Sequence, residues 1–168
     1  MARLKDLRSW FVLAKEGVSK EEADTYCDYL ESFLKNHREI FENQLSKEMT
    51  KDGDIHSRNA VFSNEEFHLL DTFPPKEEWS IGHPAISLYR LGADIFVFGG
   101  RQSLFEEFLK GYQEIRGSVT RYFEPFYMLY ASSIMLAYQY HLAESDPKEL
   151  NGARLYHKFM QEYFKKHI

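Results

Sequence analysis

Residues 124–145 read EPFYMLYASSIMLAYQYHLAES, and from Pro125 to Ala143 no side chain carries a fixed charge, although 28% of this 168-residue chain is Asp, Glu, Lys or Arg. The run nearly reaches the roughly 20 apolar residues that cross a bilayer. Its content argues against lipid. Four tyrosines, two serines, Gln139 and His141 lie within it, Glu124 and Glu144 flank it, and no Lys or Arg stands close by. A helix with no charged face is instead one enclosed by protein. The stretch predicts the central helix, about residues 119–144, of an all-α fold.

At about 100° per residue that helix has two faces. Tyr127, Tyr130, Ser133, Ile134, Ala137 and His141 share one side, with Tyr138 and Tyr140 at its margins. Met128, Leu129, Ser132, Met135, Leu136 and Gln139 share the other. Buried hydroxyl and imidazole groups cost about 1–3 kcal/mol each when left without partners. Neighbouring backbone supplies partners to most buried tyrosines. A bound small molecule is the alternative source, which makes Tyr127, Tyr130, Ser133 and His141 candidate ligand-binding residues.

Towards the N-terminus, Phe108, Tyr112, Ile115, Val119, Tyr122, Phe126, Leu129, Ser133, Leu136 and Tyr140 step by alternating fours and threes, the seam of helices packed at shallow angles. Gly111, Gly117 and Pro125 interrupt it, so two helices, about 101–116 and 119–144, are expected rather than one. Such a seam could also pair with a second copy of the chain. In FGGRQS, residues 98–103, Gly99 and Gly100 break the preceding helix, and Arg101 beside the next helix's open amides is a candidate grip for a carboxylate or phosphate. Towards the C-terminus, SDPKE offers Asp146 as a cap and Pro147 as a first residue, and Leu150, Leu155, Phe159, Met160 and Tyr163 carry a last helix.

Leu4, Leu7, Phe11 and Ala14, with Gly17 as a stop, predict a helix over about 3–15. The SKEE box at Ser19–Glu22 opens a second, whose stripe of Ala23, Tyr26, Cys27, Leu30, Phe33, Leu34, His37, Phe41 and Leu45 extends it to about residue 46, before the KDGD turn at 51–54. SNEEF at 63–67 reads as another capping box and a short helix to Leu70. Phe73, Trp79 and Ile81 anchor a loop, and Pro84 opens a helix over 84–98, although ADIFVFGG also reads as a buried strand. The expected product is one compact domain, residues 1–168, of about six helices.

Composition narrows the function. Fourteen Phe, eleven Tyr and two Trp promise a ring-rich core. The single cysteine, Cys27, on an apolar stripe, reads as an inert buried thiol, and with no secretory segment at the start a reducing, cytoplasmic setting is expected. Net charge is −5 with scattered basic residues, which argues against nucleic-acid binding. No Walker loop, dinucleotide fingerprint or nucleophile elbow is present, so the sequence presents no cofactor motif and no catalytic constellation. Glu65 and His68 are half of a di-iron motif whose other half is missing. Asp52, Asp54 and His56 lack the closing glutamate of a calcium loop. Residues 21–54 carry ten acids against four bases, an acidic helical face suited to a basic protein. The reading is a non-catalytic regulator, inhibitor or immunity-type partner, with Asp28, Glu31, Glu39 and Glu42 steering and Phe73 and Trp79 anchoring. The alternative is a small-molecule sensor or carrier with a tyrosine-lined pocket.

Overall fold

The computed structural model describes residues 8–9, 11, 17–40, 60–63, 66–69, 84–99, 102–116, 121 and 123–168. The fold is all-α, with one short hairpin among the described residues. Its elements are α1 (Lys20–Asn36), β1 (Ala60–Ser63), β2 (Glu66–Leu69), α2 (Pro84–Gly99), α3 (Gln102–Arg116), α4 (Glu124–Ala143) and α5 (Glu149–His167). Their packing divides the chain into two compact units, residues 1–38 with 129–168, and residues 39–128, so the division falls inside α4. Among the described residues no helix is long and apolar enough to cross a membrane.

In the first unit, Ser19 caps α1 by accepting the Glu22 amide at 3.1 Å. Tyr26, Cys27 and Leu30 form its buried stripe. The helix closes at Asn36, His37 is a turn, and helical backbone resumes at Arg38–Ile40; the rest of the expected extension to about residue 46 lies outside the described residues. His37 ends it instead of packing in its middle: backbone N–H and Nδ1 both meet the Phe33 carbonyl, at 3.1 and 2.8 Å, and the imidazole stacks on the Phe33 ring. Phe164 of α5 meets Tyr26 and Tyr29 edge-on, with centroids 5.5 and 5.9 Å apart. Segments approach closely where side chains are missing. The Tyr140 ring occupies the space beside Gly17, and the Gln139 amide that beside Gly152. From Leu129 to Ala137 every α4 residue except Ile134 is buried.

Asp146 and Pro147 form a turn instead of entering the last helix. Asp146 Oδ1 accepts the Lys148 amide at 3.1 Å, its carbonyl accepts the Glu149 amide at 3.0 Å, and α5 begins at Glu149. Arg8, Ser9 and Phe11 have helical backbone; the rest of the expected 3–15 helix lies outside the described residues, as do the 51–54 turn and the 73–81 loop.

In the second unit, α2 settles the ambiguity of ADIFVFGG as helix. Leu88, Tyr89, Gly92 and Ala93 form a buried stripe of period 3.6, and the Phe105 ring of α3 lies where a Gly92 side chain would be. Tyr89 stacks flat on Tyr127, centroids 5.6 Å apart and planes 3° from parallel. α4 starts at Glu124, five residues later than expected, with Pro125 in its first turn where the missing N–H is harmless. The Arg121 guanidinium fixes this start, its two edges binding Glu124 at 2.6 and 3.0 Å and Glu106 of α3 at 2.9 and 3.0 Å. SNEEF does not open a helix. β1 and β2 pair antiparallel with Ser63 opposite Glu66 and Val61 opposite His68. Val61, Phe62 and Phe67 favour strands, and eight residues are too few for helical periodicity to compete.

Candidate functional site

α1 places Asp24, Asp28 and Glu31 at i, i+4 and i+7, one column on the helix face. A single guanidinium answers all three. Arg8 donates from Nη1 to Asp24 at 2.8 Å, from Nη2 to Asp28 at 2.5 Å and from Nε to Glu31 at 3.2 Å. Three carboxylates against one cation leave the column two charges negative, and it stays wet: the Asp28 and Glu31 side chains are 70% and 50% exposed. Glu39 is also exposed, while Glu42, Phe73 and Trp79 lie outside the described residues.

On another edge of α1, Glu22 gathers a cluster that the sequence does not announce. Its Oε1 accepts from the Tyr26 hydroxyl at 2.6 Å and the Gln161 amide at 3.0 Å, and its Oε2 lies 2.9 Å from His157 Nε2. A proton on His157 Nε2 satisfies that contact, so the 3.3 Å approach of Gln161 to the same nitrogen is a contact between donors. Burial pushes the Glu22 carboxyl up, but the bonds from Tyr26, Gln161 and His157 outweigh it and hold the group below its usual range. Burial, then the Glu22 bond, raise the Tyr26 phenol. Glu22 does not reach back to Ser19 as a capping box would. The signal in sequence is two i, i+4 pairs, Glu22–Tyr26 and His157–Gln161, and neither pair names the other.

The tyrosine face of α4 is divided in its surroundings. Tyr127 is buried against Tyr89, and Tyr130 is buried. The Ser133 hydroxyl donates to the Leu129 carbonyl of its own helix at 2.8 Å. His141 is exposed, with Nδ1 3.8 Å from Glu144. Arg101 lies outside the described residues. On the opposite face Gln139 and Ser132, both fully buried, have no hydrogen-bond partner for their side chains. Cys27 is fully buried, and burial pushes its thiol up to about 11. His68 is exposed on β2. Among the described residues no three His, Cys, Asp or Glu side chains are grouped to hold a metal ion. No family model, curated protein or solved structure matches the chain significantly.

Proposed function

We propose that this chain is a non-catalytic binding protein, a regulator, inhibitor or immunity-type partner that meets a basic protein through the acidic face of α1. The observation that carries the reading is the Asp24–Asp28–Glu31 column, which remains two charges negative and open to water after Arg8 is counted. Such a column steers a cationic surface before contact, and Arg8 illustrates how a partner's guanidinium would be received. The pocket alternative draws no comparable support, because Ser133 is bonded to its own helix and His141 is exposed.

The test uses wild type and an Asp28→Lys/Glu31→Lys variant as parallel baits in an extract of the native host. A captured protein is then made separately and its association rate measured against salt. The expected result is a partner whose association slows about tenfold or more with the charge reversal and with added salt, while dissociation changes little. A partner that associates equally fast with both baits, or the absence of any partner specific to wild type, removes the proposal.

A further inference from the structure

Helix α3 carries an apolar stripe that is largely exposed. At about 100° per residue, Leu104, Phe108, Gly111 and Ile115 fall within about 60° of one another. Leu104 is 40% exposed, Phe108 half-buried and Ile115 85% exposed. A side-chain carbon added at Gly111 would meet nothing within 4 Å, so the centre of the stripe is bare backbone. Leu104 lies against Gly99, and Phe98 beside it is 50% exposed, which widens the upper end. The seam expected to run inward through Phe108 and Ile115 thus faces outward on this helix.

The 4–3–4 spacing makes these positions d, a, d and a of a heptad, so a second helix would seat its knobs here, deepest over Gly111. The flanks are unequal. Phe105 and Tyr112, at the e positions, are buried and half-buried in the unit's own core. The g positions are Glu107 and Glu114, both exposed. A second copy fits poorly. Antiparallel self-pairing sets g against g, placing Glu107 and Glu114 opposite their own copies, and parallel pairing needs the e flank that the core occupies. A helix with Lys or Arg along the edge that meets Glu107 and Glu114 fits on both counts.

We infer that the α3 stripe from Leu104 to Ile115 is a docking surface for a basic amphipathic helix of a partner protein, about three to four turns long. The surface is distinct from the acidic column of α1. Neither reading depends on the other.

The probe is a labelled synthetic peptide of about four turns with Leu at a and d and Lys at the facing g positions, beside a Glu-flanked and a scrambled version, read by fluorescence anisotropy against the full chain. The Lys-flanked peptide should bind about tenfold or more tightly than either control. Ile115→Ser and Gly111→Arg, both at open positions, should each weaken it by a similar factor with the helical circular-dichroism signal intact. Glu107→Lys/Glu114→Lys should reverse the preference towards the Glu-flanked peptide. Glu144→Lys/Glu162→Lys, at exposed positions that belong to neither surface, changes net charge equally and should leave binding at the wild-type level, separating this site from bulk attraction. Binding no tighter than the scrambled peptide, indifference to the α3 changes, or a wild-type dimer that Ile115→Ser dissolves would each overturn the inference.

Discussion

Removing the Glu22 carboxylate should cost far more than removing an ordinary surface acid. In Glu22→Ala the Gln161 amide can turn to water, since Gln161 is exposed. The Tyr26 hydroxyl cannot, because Tyr26 is only 3% exposed and its 2.6 Å bond to Glu22 has no ready replacement. Stranding a buried donor costs about 1–3 kcal/mol. The His157 contact, between side chains 16% and 21% exposed, adds about 1 kcal/mol. The sum is about 2–4 kcal/mol out of a total near 5–15 kcal/mol for a domain. In a chain of this size that is a fall in melting temperature of roughly 5–15 °C. Tyr26→Phe should cost less, since Glu22 keeps two donors, and a cycle of Glu22→Ala with Tyr26→Phe should show a coupling of about 1–2 kcal/mol.

Acidity gives a second readout of the same group. The folded-state carboxyl of Glu22 lies below its usual range. Its contribution is therefore fully present above the unfolded value of about 4.3 and is lost as pH falls through it towards the lower folded value. Urea unfolding of wild type and Glu22→Gln should differ most near neutrality and converge in acid. Stabilities within about 0.5 kcal/mol of each other at neutral pH, or a gap that widens in acid, would refute the assignment of Glu22 as the organising acceptor.

Two helical glycines should respond with opposite signs. At Gly92 an added carbon would run into the Phe105 ring, itself fully buried, so Gly92→Ala should destabilise by about 1–3 kcal/mol despite alanine's better helix propensity. Gly111→Ala, in open space, should stabilise by up to about 1 kcal/mol in the same denaturation assay. Cys27, buried and with its thiol pushed up to about 11, should resist a thiol-reactive chromophore in the folded protein and react fully in denaturant. Gln139→Met keeps the side chain's length and removes a buried amide without partners, so it should leave melting temperature unchanged or raised; a clear loss would mean that the amide is bonded in solution.

The α4 helix was legible because its evidence is a composition, a run without charge, and needs no knowledge of what lies opposite. The capped start of α1 was legible for a similar reason, since Ser19 and the Glu22 amide are three residues apart. Where two local patterns competed, length decided. SNEEF has a capping box but only eight residues around it, and Val61, Phe62 and Phe67 prefer strand. ADIFVFGG continues a run that begins at Pro84, and the longer period prevails. The interruption at His37 leaves no mark in the sequence, because the apolar stripe keeps its phase through it while the break is made by a backbone and ring contact to Phe33. The boundary between the units leaves no mark, since Met128 and Leu129 adjoin within one unbroken helix.

What sequence withheld was the choice of partner for each polar side chain. Glu22 could serve its own cap or the last helix, and the backbone pattern is the same in both cases; proximity of α5 decides, through His157 and Gln161, 135 and 139 residues away. Arg8 likewise looked like one of five scattered bases in the first twenty residues, yet it removes one of three charges from the face assigned to steering. The α3 stripe is the converse case. Its spacing is that of a buried seam, and only the exposure of Leu104 and Ile115 shows that this face of the helix is open. Periodicity reports that a face is apolar, and never what covers it. The acidic column and the apolar stripe therefore rest on different physics, charge left over after internal pairing in one and area left over after internal packing in the other, and a partner could use either alone.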